Sequence, residues 1–154
     1  MNELETELAN LDSGYIHFKG SGSFSISCVQ SRVGVTPTIT QLKRPAHLTV
    51  RPRPPTNKHE ADWCPDCTRS NAVVREALAA AGKPLLVVDV GTRSDWKARD
   101  TPLRRDARFA LSGIPTLVRW QGGVVTAKLE RPLEHAASPA AALKAVAQFV
   151  AAQG

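Results

Sequence analysis

An α/β domain with a mixed central sheet and helices on both faces is the fold class this 154-residue sequence predicts. Three observations lead there. The pair Cys64-Pro65-Asp66-Cys67 falls directly ahead of a helical run at 68–81. Leu85-Leu86-Val87-Val88-Asp89-Val90 is a nearly continuous apolar run, as expected of a strand covered on both faces. Beyond it, two strand-like segments flank Gln121-Gly122-Gly123, the mark of a hairpin.

Taken in order, Leu4, Leu8 and Leu11 recur at helical spacing behind Asn2, a candidate cap, and Gly14 closes that segment. Tyr15-Ile16-His17-Phe18-Lys19 reads as a short strand. Composition then changes. Residues 20–58 hold five of the eleven prolines, many Ser and Thr, and little periodicity. The reading is a basic insert ahead of the motif, too long for an ordinary loop, flexible, with one candidate strand at 46–51. After Cys67, the residues Val74, Ala77, Leu78 and Ala81 follow helical spacing, and Gly82 with Pro84 ends the run. Thr101 and Pro102 open a further helix that Leu103, Ala107, Ala110 and Leu111 extend. Pro115 introduces the strand 116–120, and 124–129 returns. Ser138 and Pro139 start a last helix with Leu143, Val146, Ala147 and Val150 on one face. A helix between two strands implies a right-handed parallel crossover, and the late hairpin adds an antiparallel edge. The expected organisation is a single domain over residues 1–154 carrying the insert at 20–58.

Bulk composition excludes several classes. At 42% hydrophobic the chain can bury a core. Three cysteines are too few and too odd for a secreted disulfide scaffold. Glu3, Glu5, Glu7 and Asp12 crowd the first dozen residues, unlike a secretory or transit leader. No run approaches the roughly 20 apolar residues of a membrane helix. A soluble protein of the cytoplasm, a reducing compartment, is the expectation. The net charge of +6 comes from one place: Arg32, Lys43, Arg44, Arg51, Arg53 and Lys58 face no acid within 20–58, and the rest of the chain is neutral. A nucleic-acid partner is therefore not expected, and nor is a membrane.

The motif carries the chemistry. The first amides of a helix lack intrahelical partners and carry the positive end of its dipole, so they stabilise a thiolate placed before them. In such motifs the thiol falls to roughly 3.5–7.5 from about 8.5. Cys67 comes round to the same side of the first turn, where it can close or resolve a disulfide. Two alternatives stay open. The pair could be half of a zinc site completed by Cys28, His47 or His59, or it could be inert structural cysteine.

The stretch from Ala61 to Trp120 resembles the thioredoxin-related proteins of 14 kDa, also called thioredoxin domain-containing protein 17, whose plant members are the Clot-type thioredoxin-like proteins. The resemblance rests on Trp63-Cys64-Pro65-Asp66-Cys67, on 73–78, on Val90-Gly91 followed by Asp95-Trp96-Lys97, and on Gly113-Ile114-Pro115-Thr116-Leu117. It implies a thioredoxin fold and a cytosolic thiol–disulfide oxidoreductase, a protein-disulfide reductase acting on peptide, protein or small-molecule disulfides. Cys64 would be the nucleophile and Cys67 the resolving thiol. Thioredoxin reductase or a similar donor would recharge the pair in what is expected to be a monomer. No cofactor is needed, because the dithiol itself holds two electrons. The resemblance further implies a cis Pro115 against the pair, which frees the Ile114 backbone for an extended substrate. His17 would stand where thioredoxins bury an acid beneath the cysteines, either as a proton shuttle or as a plain core histidine. Trp63 and Trp96 are candidate walls, Pro65 suits the first helical turn, and Asp66 either tunes the thiolate or merely starts the helix. Cys28 reads as an exposed bystander. The rival to catalysis is a non-catalytic thioredoxin-fold adaptor whose basic insert docks on acidic partners.

Overall fold

The computed structural model of the chain describes residues 2–22, 24–29, 63–98 and 100–152. Helix α1 (Asn2–Asn10) leads into strand β1 (Ser13–Lys19), and strand β2 (Phe24–Val29) follows after a short turn. Helix α2 (Pro65–Ala80) and strand β3 (Leu85–Val90) come next, then the short helices α3 (Arg93–Lys97) and α4 (Pro102–Arg105). Strands β4 (Thr116–Gln121) and β5 (Val124–Leu129), the short helix α5 (Arg131–Glu134) and helix α6 (Pro139–Ala151) complete the chain.

The five strands form one mixed sheet in the order β2-β3-β1-β4-β5. β1 runs parallel to β3, with His17 opposite Val87 and Lys19 opposite Asp89. The crossover through α2 joins these neighbours, as the apolar pattern predicts. β4 lies antiparallel to β1, with Phe18 opposite Thr116. The β4–β5 hairpin turns at Gly122 and Gly123, whose φ of 56° and 86° suit residues without a Cβ.

Alternation along β1 and β3 divides the core. Ile16, Phe18, Leu86 and Val88 pack with Leu4, Leu8, Trp96, Leu103, Phe109 and Trp120. Tyr15, Leu85, Val87 and Leu117 pack with Val73, Val74 and Leu78 of α2 and with Ala142 and Val146 of α6. Both faces are covered, so β3 is buried along its whole length. Among the described residues, no helix is long and apolar enough to cross a membrane.

Three elements differ from the sequence expectation. The segment expected to be a flexible insert from residue 20 opens on a strand: β2 pairs antiparallel with β3 from Phe24 opposite Val90 to Val29 opposite Leu85. Phe24, Ile26 and Cys28 alternate with Ser25 and Ser27, a period of two that the Ser-rich composition masked. Ile26 packs against the core, and β2 covers an edge of β3 that would otherwise be open. The remaining expectations for the insert, including a strand at 46–51 and the six bases, lie outside the described residues. The helix expected to reach Leu111 stops at Arg105, where Asp106 takes an extended ψ of 106° and Ala110 a φ of 44°. Phe109 is thereby turned into the core against Phe18, with ring centroids 4.9 Å apart. Between β3 and α4, the unexpected α3 starts on a capping box, with Thr92 accepting from the Asp95 amide and the Asp95 carboxylate accepting from Thr92 N–H.

Candidate functional site

α2 begins where the paired cysteines lie. Pro65 stands in its first turn, where no amide donor is required. Cys64 is the N-cap residue: its Sγ accepts from the Cys67 amide at 3.3 Å, and its carbonyl accepts from Thr68 N–H at 3.1 Å. The site thus faces the unpaired amides and positive pole of a 16-residue helix. Cys64 and Cys67 are joined as a disulfide across a Cα–Cα distance of 5.2 Å. Their surroundings differ. Cys64 retains 8% of its surface and Cys67 1%. Ser70, three residues on and itself buried, donates from its hydroxyl to the Cys67 carbonyl at 3.1 Å. Cys64 is thus the more exposed of the two.

The walls of the site come from the C-terminal ends of β1 and β3. Trp63 Nε1 donates to the Gly91 carbonyl at 3.0 Å, anchoring the indole to the end of β3. Its ring lies over Gly20, where a Cβ would stand 2.2 Å from the indole Cζ2. Only glycine leaves room for that approach. Trp96 is the other candidate wall. It is buried in the core at 6% exposure and carries the Arg104 guanidinium 4.3 Å above its ring.

Ile114–Pro115 is a cis peptide, Pro115 buried and Ile114 half-buried, immediately before β4. Thr116 fixes the approach by donating from its hydroxyl to the Gly113 carbonyl at 2.8 Å. Because Thr116 registers with Phe18, the Ile114–Pro115 bond lies at the sheet end that also carries Gly20, Gly91 and the motif. Asp66 is exposed on the first turn and forms an ion pair with Arg69.

His17 lies on the α2 face of β1, fully enclosed. Neither ring nitrogen has a hydrogen-bond partner among the described residues. Burial pushes its pKa down to about 3, with Lys19 and Arg75 adding to the shift. The ring is therefore neutral at physiological pH, which fits a core histidine. Cys28 is a free, exposed cysteine on β2. Burial, with Glu7 adding to it, raises its thiol pKa. The candidate zinc ligands His47 and His59 lie outside the described residues.

One group at the site escapes a motif search. Lys19 Nζ donates to Asp89 Oδ2 at 2.6 Å and to Ser21 Oγ at 3.2 Å. Asp89 is 1% exposed and accepts further from the backbone N–H of Ser21 at 3.1 Å and of Gly91 at 3.2 Å. The Ser21 hydroxyl also contacts this carboxylate. A signal was present: Asp89 is the one charge inside an otherwise apolar strand, and such a charge needs a buried partner.

A mixed α/β sheet with a paired Cys-x-x-Cys at a helix start and a cis proline at the same sheet end is the arrangement of a thioredoxin-like protein, and it fits a thiol redox role. Residues 53–137 match the family model for the thioredoxin domain of thioredoxin domain-containing protein 17-like proteins, and the chain belongs to that family. It is 39% identical over 75 residues to thioredoxin-like protein Clot of Arabidopsis thaliana, covering 47% of this chain and 56% of that protein. The rice (Oryza sativa subsp. japonica) protein of the same name is 38% identical over 81 residues, covering 49% of this chain and 58% of its own. Human thioredoxin domain-containing protein 17 is 32% identical over 60 residues, 38% of this chain and 47% of the human one. The chain thus spans about half the length of the curated relatives it matches. No solved structure matches it.

Proposed function

We propose that this protein is a disulfide reductase in which Cys64 attacks and Cys67 resolves. The observation that carries the reading is the asymmetry of the pair: Cys64 caps the helix and keeps some exposure, whereas Cys67 is enclosed within the first turn. In the reduced protein the Cys64 thiolate attacks one sulfur of a substrate disulfide. A mixed disulfide forms, and the other substrate sulfur leaves as a thiol. Cys67 then attacks Cys64 Sγ, the bond to substrate breaks, and the second substrate thiol departs. Two electrons pass from the dithiol to the substrate, leaving the Cys64–Cys67 disulfide that the structure holds.

Trp63 and the half-buried Ile114 supply apolar contact beside the pair, and the Ile114 backbone is the expected partner for an extended peptide. The same reading takes a disulfide-containing peptide, protein or small molecule as substrate, thioredoxin reductase or a comparable donor as electron source, and the cytoplasm as location. Insulin-type disulfide turnover tests it. Cys64→Ser is expected to abolish turnover, and Cys67→Ser to accumulate covalent mixed disulfides that dithiothreitol releases. Turnover that survives in Cys64→Ser would reverse the assignment. Absence of turnover in the parent chain would leave an adaptor.

A further inference from the structure

Cys67 presents a chemical problem that its burial makes acute. It is 1% exposed, and a thiol must give up its proton before its sulfur attacks. A cleft of about 120 Å³ opens beside it, lined by Lys19, Gly20, Ser21, Cys67, Thr68 and Asn71. That is room for several waters. Lys19 is the charged residue of this lining. Its ammonium is held by Asp89, which is itself fixed by two backbone N–H groups and does not line the cleft. The cationic partner of this ion pair thus shares the cleft with Cys67, and the carboxylate partner stands outside its lining.

Other charged groups also stand near this end: Glu134 of α5 sets its carboxylate against Gly113, ahead of the Ile114–Pro115 bond. On α2, Asp66 and Arg69 pair with each other, and Arg75 donates to Asn71 Oδ1 at 3.1 Å. On β1, His17 is enclosed and outside the cleft lining. The start of β4 presents the uncharged Thr116 here, preceded by the uncharged Pro115.

We propose that Lys19, positioned by Asp89, stabilises the Cys67 thiolate across this cleft and so sets the pH at which the mixed disulfide on Cys64 is resolved. Lys19 is a positioning residue here: it touches neither substrate nor reacting sulfur. In the step it governs, Cys67 releases its proton to water in the cleft and its sulfur bonds to Cys64 Sγ. The Cys64–substrate bond breaks, and the substrate thiolate takes a proton from solvent. The dithiol supplies both electrons, so no other reductant enters. The inference rests on the disulfide-reductase reading, and its test separates the two.

Reduced protein is mixed with dithiobis(nitrobenzoate) in a stopped-flow instrument across a pH series. With Cys28, a free and exposed thiol, replaced by serine in every protein compared, the first thionitrobenzoate released reports attack by Cys64 and the second reports resolution by Cys67. Lys19→Met is expected to move the midpoint of the second phase to higher pH by about one unit, a roughly tenfold slower release at neutral pH, and to leave the first phase in place. Lys19→Arg is expected to restore it. Asp89→Asn removes the counter-charge and is expected to move the same midpoint the opposite way, an outcome that loss of packing would not produce. If Lys19→Met does not fold, Asp89→Asn carries the test alone. Superimposable second phases, or shifts of the same sign in both variants, overturn the proposal while leaving the redox reading standing. A parent chain that shows no second phase at any pH overturns the redox reading, and this proposal with it.

Discussion

Acidification is expected to destabilise this fold through one residue. His17 is fully buried, and its pKa is pushed from 6.5 down to about 3. In the unfolded chain the imidazole takes up a proton near its ordinary value; in the fold it does not until near pH 3. Between those values the unfolded state binds more protons, so stability rises with pH. The contribution is whole above about pH 6.5 and is lost as pH falls toward about 3. Stability falls with each pH unit of acidification inside that window, so going from neutrality to about pH 4.5 removes on the order of 3 kcal/mol. That is a large share of the roughly 5–15 kcal/mol of a typical domain. Other groups must be kept apart from it. Glu5, Asp95 and Asp106 have carboxyl pKa values lowered by Arg108 or Thr92, and their contributions fade at more acidic pH. The assay is urea unfolding of the parent and of His17→Leu at several pH values. Leu fills similar space and leaves no unpaired ring nitrogens, so the variant is expected to be at least as stable at neutral pH. It should also lack the slope between about pH 6.5 and 4.5. Parallel losses in the two proteins would show that His17 is protonated or solvated in the fold, and the burial argument would be wrong.

Three further outcomes are expected. Asp66→Asn leaves Arg69 uncompensated beside the first turn of α2 and should move the alkylation midpoint of Cys64 to lower pH. Arg69→Ala should move it upward, each by a few tenths of a unit because both groups are exposed; a pH series with iodoacetamide reads both, and equal signs would dismiss the electrostatic role. Gly20→Ala drives a Cβ into the Trp63 ring, a rigid group tied to Gly91, so it should cost roughly 1–3 kcal/mol and slow Cys64 alkylation; unchanged unfolding and reactivity would mean that the indole is free to move. Replacing residues 22–57 with a Gly-Ser linker removes β2 together with the rest of the insert. It should lower stability by a few kcal/mol in thermal unfolding, whereas a linker in place of 31–57 spares the strand and is the control.

The parts of this fold that were legible are those in which local pattern and tertiary demand agree. The apolar run at 85–90 could satisfy its side chains only as a strand covered on both faces, and β3 is buried throughout. Cys64 and Cys67, followed by a helical pattern, placed the pair at the start of α2 without further help. Where the two diverge, the sequence misleads. Ala107, Ala110 and Leu111 keep helical spacing, yet the chain leaves the helix at Arg105 and seats Phe109 against Phe18 and Trp120, a tertiary contact that local spacing does not encode. In β2, composition outweighed periodicity: Ser25 and Ser27 made a strand look like a linker, and what favours the strand is the open edge of β3, which no local window contains.

The same distinction divides the site. A motif exposes residues adjacent in sequence, so Trp63, Cys64, Pro65, Asp66 and Cys67 were visible together. The environment of Cys67 is assembled from β1, α2 and β3, by residues 70 apart such as Lys19 and Asp89. Each has a weak local sign, a lysine ending one strand and an aspartate inside another. Parallel pairing of β1 with β3 turns the two signs into one fact, since it sets Lys19 opposite Asp89 at the sheet end where α2 begins. His17, the residue that position alone suggested, points into the apolar layer beneath α2 instead. A charge at the cleft and a neutral ring in the core differ by two residues on one strand. Strand alternation cannot separate them, because both lie on the same face; depth along the strand does, with Lys19 at the open end and His17 roofed by the helix.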